Sequence, residues 1–123
     1  MLGSCEAPPR RQLGPVTKEL AWTWLLLAGL LEIGWPIGMK LQAQPAWRVA
    51  GPALSIACIA ASMGLFWLAL RGVPLGLAYA VWTGIGAAGT FLVGVAFFGE
   101  AALLLHWVGV ALILGGVACL KLG

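Results

Sequence analysis

The stretch "GLLEIGWPIGMK", residues 29 to 40, sets a carboxylate, Glu32, inside a long apolar run. Of the four acids in the chain, Glu32 is the only one well inside such a run; Glu19 and Glu100 fall at run ends. An ionisable side chain near the centre of a bilayer costs at least about 2.5–3.5 kcal/mol to insert. No Lys or Arg lies deep enough to neutralise it permanently. Its counter-charge is therefore mobile, a proton or a cationic substrate. A low dielectric favours the protonated form of a carboxyl group, and a bound cation favours the ionised form. Proton and cation thus compete for one group, which is sufficient for exchange across a membrane. The plainer reading is a protonated acid hydrogen-bonded between helices for packing. Intramembrane acids by default face cavities or pathways, which favours the exchange chemistry.

The neighbours fit that chemistry. Gly29, Glu32 and Trp35 are spaced by three and share a helix face. Gly29 leaves space beside the carboxylate, and Trp35 offers an indole N–H and a flat π-face. Pro36 lacks an N–H and crowds the carbonyl four residues back, that of Glu32, so the helix should kink there. In "PLGLAYAVWTGIGAAG", Gly76, Tyr79, Trp82 and Gly86 recur every three or four residues. Tyr79 can donate to a carboxylate, and Trp82 can wall a cation site through cation–π attraction; packing is the competing role for both. Gly84, Gly86 and Gly89 crowd mid-helix, where glycine costs about 1 kcal/mol relative to alanine, and point to a bend or a close crossing. Ser62 lies at mid-depth of another run; it either bonds back to its own helix or holds the Glu32 carboxylate. Gly109 and Gly116, seven apart in the last run, permit close helix contact in lipid. That run carries no mid-span polar group and reads as a dimer seam.

The elements that must position these residues are four apolar runs, roughly 20–39, 52–70, 75–98 and 101–122. Each is near the roughly 20 residues a helix needs to cross the hydrocarbon. The breaks "KLQAQPAWRVAGP", "RGVP" and "FFGEA" carry Gly or Pro with a charge, as interfacial turns do. Short turns make neighbours antiparallel and put both termini on one side. The chain of 123 residues is 62% hydrophobic and 9% charged, so there is room for one all-α integral membrane domain and little else. Residues 1–19 read as a flexible, basic, cytoplasmic tail with no signal-peptide core; residues 20–123 are the transmembrane domain. Trp22, Trp24, Trp47 and Trp107 lie near run ends, as interfacial aromatics do. Basic residues give a weak bias toward cytoplasmic termini. Cys5, Cys58 and Cys119 have neither metal spacing nor a disulfide pattern. A nucleophile with a base, a phosphate loop and a basic nucleic-acid footprint are all absent, which argues against an enzyme and against nucleic-acid binding.

These features together resemble the small multidrug resistance family of four-helix transporters. The likeness runs from about Ala21 to Leu122, and "PLGLAYAVWTGIGAAG" with the first-span acid and Lys40 carries most of it. Within the family the chain is similar to the guanidinium-exporter branch. Trp35 three after the acid, "SMGL" at Ser62, "AYAVWTGIGA" at 78–87 and "GE" at 99–100 are the reasons. The resemblance implies an antiparallel dimer, both Glu32 side chains lining one shared site, and alternating access. It gives Glu32 as the proton and substrate ligand, with Trp35, Ser62 and Tyr79 orienting it and Trp82 as a wall. Gly29 makes room beside the acid, Gly84 and Gly86 form a hinge, and Gly109 and Gly116 are dimer contacts. The coupling ion is the proton, with no other cofactor and no metal. The expected partners are a second copy or an unlike subunit of the same family, a small cation and the lipid of a bacterial inner membrane. The expected function is proton-coupled export of guanidinium or small guanidinyl cations. The alternatives are export of quaternary ammonium or lipophilic cations, one half of a heterodimeric pair, and a non-transporting assembly subunit.

Overall fold

The computed structural model describes residues 15–123, with side chains from Lys18 onward. Most of the expected tail, residues 1–19, lies outside the described residues; its last five form the start of the first helix. The described residues are all helical or connecting: α1 (Pro15–Glu32), α2 (Gly34–Leu41), a 3-10 turn at Pro45–Trp47, α3 (Ala50–Ala69), α4 (Leu75–Phe97) and α5 (Leu104–Leu122). Lys18–Leu41, taken together, and α3, α4 and α5 are each long and apolar enough to cross a membrane. The four expected runs are therefore four helical spans.

The first span is interrupted where Pro36 predicts. The helix breaks at Ile33, whose N–H donates to the Leu30 carbonyl (3.2 Å) in a tighter turn. Pro36 cannot donate to the Glu32 carbonyl, and its ring displaces that carbonyl. Glu32 is therefore the last residue of α1, directly before the break.

Small residues set the helix spacing. α3 buries only Gly51, Ser55, Ser62 and Ala69, a stripe at intervals of four and seven that lets α1 and α2 approach closely. A Cβ on Gly51 would lie 2.6 Å from the Gly38 carbonyl oxygen, so α2 and α3 touch backbone to backbone. The core joins Ala21 and Leu25 of α1, Ala69 and Val73 at the end of α3, and Ala78 and Val81 of α4. α5 leans on α4 and buries only Val110. Leu104, Leu105 and Leu112 on α5 are each more than two-thirds exposed, a surface that suits lipid or another helix and not water.

The α4–α5 corner is built by glycine. Gly99 takes a φ of +65°, open to glycine and strained for other residues. The Glu100 N–H then returns to the Gly94 carbonyl at 3.1 Å. His106 caps α5: its Nδ1 accepts the Leu103 N–H at 3.1 Å, satisfying a donor the helix start leaves free.

Candidate functional site

Glu32 is half-buried at the α1–α2 break, facing α3 and α4. The Trp35 Nε1–H donates to its Oε1 at 2.7 Å. The break does not prevent this bond, because Ile33 keeps a helical φ of −65° and ψ of −32° and residues three apart share a face while the local turn stays helical. Trp35 is held in turn by its backbone: buried Ser55 donates its hydroxyl to the Trp35 carbonyl at 2.8 Å.

Ser62 stands opposite. Its hydroxyl is 2.7 Å from the Ala28 carbonyl and 3.4 Å from Glu32 Oε2. One proton serves two acceptors, and the shorter contact is the stronger bond. The Trp82 Nε1–H donates to the same Ser62 oxygen at 2.9 Å. A chain of donors thus runs from Trp82 through Ser62 to the first span. Trp82 stacks on Phe66 at 4.5 Å between centroids, and Tyr79 meets both rings edge-on, at 5.7 Å from Trp82 and 6.4 Å from Phe66.

Of the residues singled out in the sequence, Glu32, Trp35, Ser62 and Trp82 are joined by hydrogen bonds. Tyr79 is not joined to Glu32 within one chain. It stands seven residues, about 10 Å along the axis, before Gly86, which is the residue that faces the acid. Gly29 makes room for a different neighbour than expected: a Cβ there would come 2.9 Å from Ile85 Cβ. The glycine that accommodates the acid is Gly86, where a Cβ would lie 2.7 Å from Glu32 Cγ. Gly84 faces α5, with Val117 Cγ2 at 2.7 Å from the position of its absent Cβ. α4 runs unbroken through Gly84 and Gly86. Gly109 and Gly116 have no atom within 4 Å of a built Cβ, so they lie on a face of α5 free of intrachain contact.

Phe66, Ser55 and the Lys40–Glu100 ion pair were not anticipated. Phe66 stands four after Ser62, and Ser55 seven before it, so both share its face; that spacing was the available signal. The ion pair joins residues sixty apart, and no local pattern announces it.

The carboxylate accepts Trp35 at Oε1 and, at longer range, Ser62 at Oε2, and no cationic side chain pairs with it; among the described residues the one salt bridge is Lys40–Glu100. No group of three His, Cys, Asp or Glu that could hold a metal is present among the described residues. Four helices long and apolar enough to cross a membrane, the first carrying a part-buried acid, define a small multi-span membrane protein. The family profile described as Small Multidrug Resistance protein matches residues 20–113, and the chain belongs to that family. It is similar to a guanidinium exporter of Proteus vulgaris, 41% identical over 103 residues, 84% of this chain and 98% of the relative. A guanidinium exporter of Yersinia pseudotuberculosis is 43% identical over the same shares. One of Citrobacter freundii is 40% identical over 84% of this chain and 97% of its own length. The chain is thus a multi-pass membrane transport protein and not an enzyme.

Proposed function

We propose that this chain exports guanidinium or small guanidinyl cations across the bacterial inner membrane in exchange for protons, the two competing for Glu32. The observation that carries the reading is the Glu32 carboxylate, fixed by Trp35 at 2.7 Å and lacking a Lys or Arg partner among the described residues. The names of relatives at 40–43% identity supply the substrate class.

A carboxylate offers about four acceptor positions, and Trp35 takes one. Guanidinium is flat, with N–H donors in parallel pairs, and matches the remaining positions as a fork. When a proton arrives on Glu32 the charge attraction ends and the cation leaves. The Ser62 hydroxyl then rests on the Ala28 carbonyl; when Glu32 is ionised it can turn to Oε2. Trp82, through its N–H, keeps the Ser62 oxygen in position for both bonds.

In this reading two copies insert in opposite directions and their Glu32 side chains line one site. The part-buried acid and Tyr79, 55% exposed, then face the other copy, and the Tyr79 hydroxyl reaches the partner's acid. Gly109 and Gly116 on the free face of α5 form the contact between copies. Gly84 and Gly86 are the hinge of α4: bending there shifts the contacts to Val117 and Glu32 together. Alternating access follows from exchange of the two conformations between the copies.

The test is exchange in proteoliposomes under a pH gradient, comparing guanidinium with a bulky quaternary ammonium, for wild type and Glu32→Gln. The reading expects guanidinium to move, the bulky cation to lag, and Glu32→Gln to stop coupled exchange. Movement of the bulky cation alone rejects the substrate class and keeps the acid's role. Movement of neither rejects a self-sufficient homodimer.

A further inference from the structure

We propose that the cavity between α2 and the end of α4 is a second, outer cation site, with Glu100 as its carboxylate and Lys40 as a built-in occupant that the travelling cation displaces. The proposal rests on the transport reading above. The cavity, of about 210 Å³, is lined in part by Pro36, Lys40, Thr90, Phe91, Phe98 and Glu100.

Its mouth already holds a cation. Lys40 Nζ lies 3.5 Å from Glu100 Oε1 and 5.7 Å from the centroid of the Phe98 ring. An ammonium between a carboxylate and an aromatic face shows the chemistry that a small planar cation uses. The occupant is loosely held. The two side chains are 57% and 51% exposed, and exposed ion pairs are weak and screened by salt. Lysine is a point charge on a flexible stem, so it can swing away without moving α2. A guanidinium makes two bonds where the ammonium makes one.

The carboxylate's seat is built by the backbone. Gly99 turns the chain at a φ of +65°, and the Glu100 N–H is tied to the Gly94 carbonyl at 3.1 Å. A Cβ on Gly94 would lie 2.5 Å from Glu100 Oε2, so the missing side chain lets the carboxylate lie over α4.

The cavity lies farther along α2 and α4 than the inner acid. Along α4, Gly86 packs on Glu32 and Gly89 packs on Ile33; Phe91, Gly94 and Phe98 then line the cavity with Pro36 and Lys40. Gly86 to Gly94 is eight residues, a rise of about 12 Å. The two carboxylates thus stand at two levels along α4, the outer near its C-terminal end and the inner beside Gly86.

The experiment measures guanidinium binding by calorimetry and half-saturation of exchange in proteoliposomes. Glu100→Gln and Lys40→Met break the same ion pair, yet the site predicts opposite signs. Glu100→Gln should raise the half-saturating guanidinium concentration about threefold to tenfold, and Lys40→Met should lower it by a similar factor. Phe98→Leu, which alters no charge, should raise it as well. Shifts of the two charge variants in one direction, or none, overturn the proposal, as does a shift that vanishes in high salt with Phe98→Leu silent. Binding in the Glu32→Gln background separates this proposal from the transport reading. Weak guanidinium binding should persist there and be lost in Glu32→Gln/Glu100→Gln. Persistence without any wild-type transport keeps the outer site and rejects the transport reading; wild-type transport without that residual binding rejects the outer site alone. Folding of each variant is checked by a single symmetric peak in size-exclusion chromatography.

Discussion

Glu32 and Glu100 are both carboxylates packed beside α4, at Gly86 and at Gly94, yet they are held in opposite ways. Glu32 is half-buried, bonded by the Trp35 indole at 2.7 Å and approached by Ser62 at 3.4 Å, with no cation beside it among the described residues. Glu100 is half exposed and carries Lys40 at 3.5 Å. An acid at mid-span must be neutralised to stay there, whereas an acid in water has no such need. In the proposed reading, a permanent lysine at Glu32 would fill the place of the exchanging ion. At Glu100 the lysine costs little, because water screens both partners. Depth, more than residue type, sets the two acids apart.

The largest expected effect follows from this contrast. Removing one partner of a desolvated charge pair costs about 2–5 kcal/mol, from about 30-fold to several thousandfold. Glu32→Gln should therefore reduce proton-coupled cation exchange in proteoliposomes by at least about 30-fold. Retention of coupled exchange by Glu32→Gln would mean that the acid serves only packing.

The next effect uses the glycine opposite each acid. At Gly86 a Cβ meets Glu32 Cγ at 2.7 Å and Cβ at 3.2 Å, atoms near the root of a half-buried side chain. At Gly94 it meets Glu100 Oε2 at 2.5 Å, the far end of an exposed side chain. Overpacking a closed contact costs about 1–3 kcal/mol; moving a free carboxylate tip costs much less. Gly86→Ala should raise the half-saturating cation concentration about tenfold, while Gly94→Ala stays within about twofold. Equal effects at the two positions would show that the groove, not the seating of each acid, sets the response.

A smaller effect lies behind the inner acid. Ser62 is fully buried and accepts the Trp82 N–H at 2.9 Å while donating to Ala28 at 2.7 Å. Ser62→Ala leaves both of those groups without their partner, at about 1–3 kcal/mol. The expected result is a lower thermal midpoint in detergent together with weaker cation binding. Restored binding in Ser62→Thr would assign the loss to the hydroxyl.

Much of this arrangement was legible in the sequence, for physical reasons. Apolar runs of membrane length are decided by the bilayer alone, so the four spans and the break at Pro36 could be read directly. Glu32 and Trp35 were legible because their contact is local, three residues along one helix. Ser62 and Trp82 could be singled out as polar or aromatic groups at mid-depth, but the pairing between them needs the packing of α3 on α4. Tyr79 shares a helix face with Trp82, but spacing gives the face of a helix and not the level of its neighbour, so its distance from the acid of its own chain needed the structure. Gly29 and Gly86 show the same limit. Both are small residues near the acid, and only the helix crossing decides that Gly86 meets Glu32 while Gly29 meets Ile85. Ser55 escaped notice because its acceptor is a backbone carbonyl, which no sequence pattern marks.

The smallest expected effect sharpens the comparison most. The Lys40–Glu100 pair, more than half exposed at both ends, should contribute little to stability. Exposed pairs give about 0–1 kcal/mol in double-mutant cycles. A cycle of Lys40→Met, Glu100→Gln and the double variant, followed by thermal unfolding in detergent, should return a coupling below about 1 kcal/mol that falls further in high salt. Low coupling is what an exchangeable occupant requires, since a substrate cation at ordinary concentration must compete with a tethered ammonium. A coupling of several kcal/mol would make the pair a structural clasp between α2 and the α4–α5 corner, and the cation could not displace the lysine. The inner acid would then be the sole point of exchange, and Glu100 would serve only to close the turn that Gly99 begins.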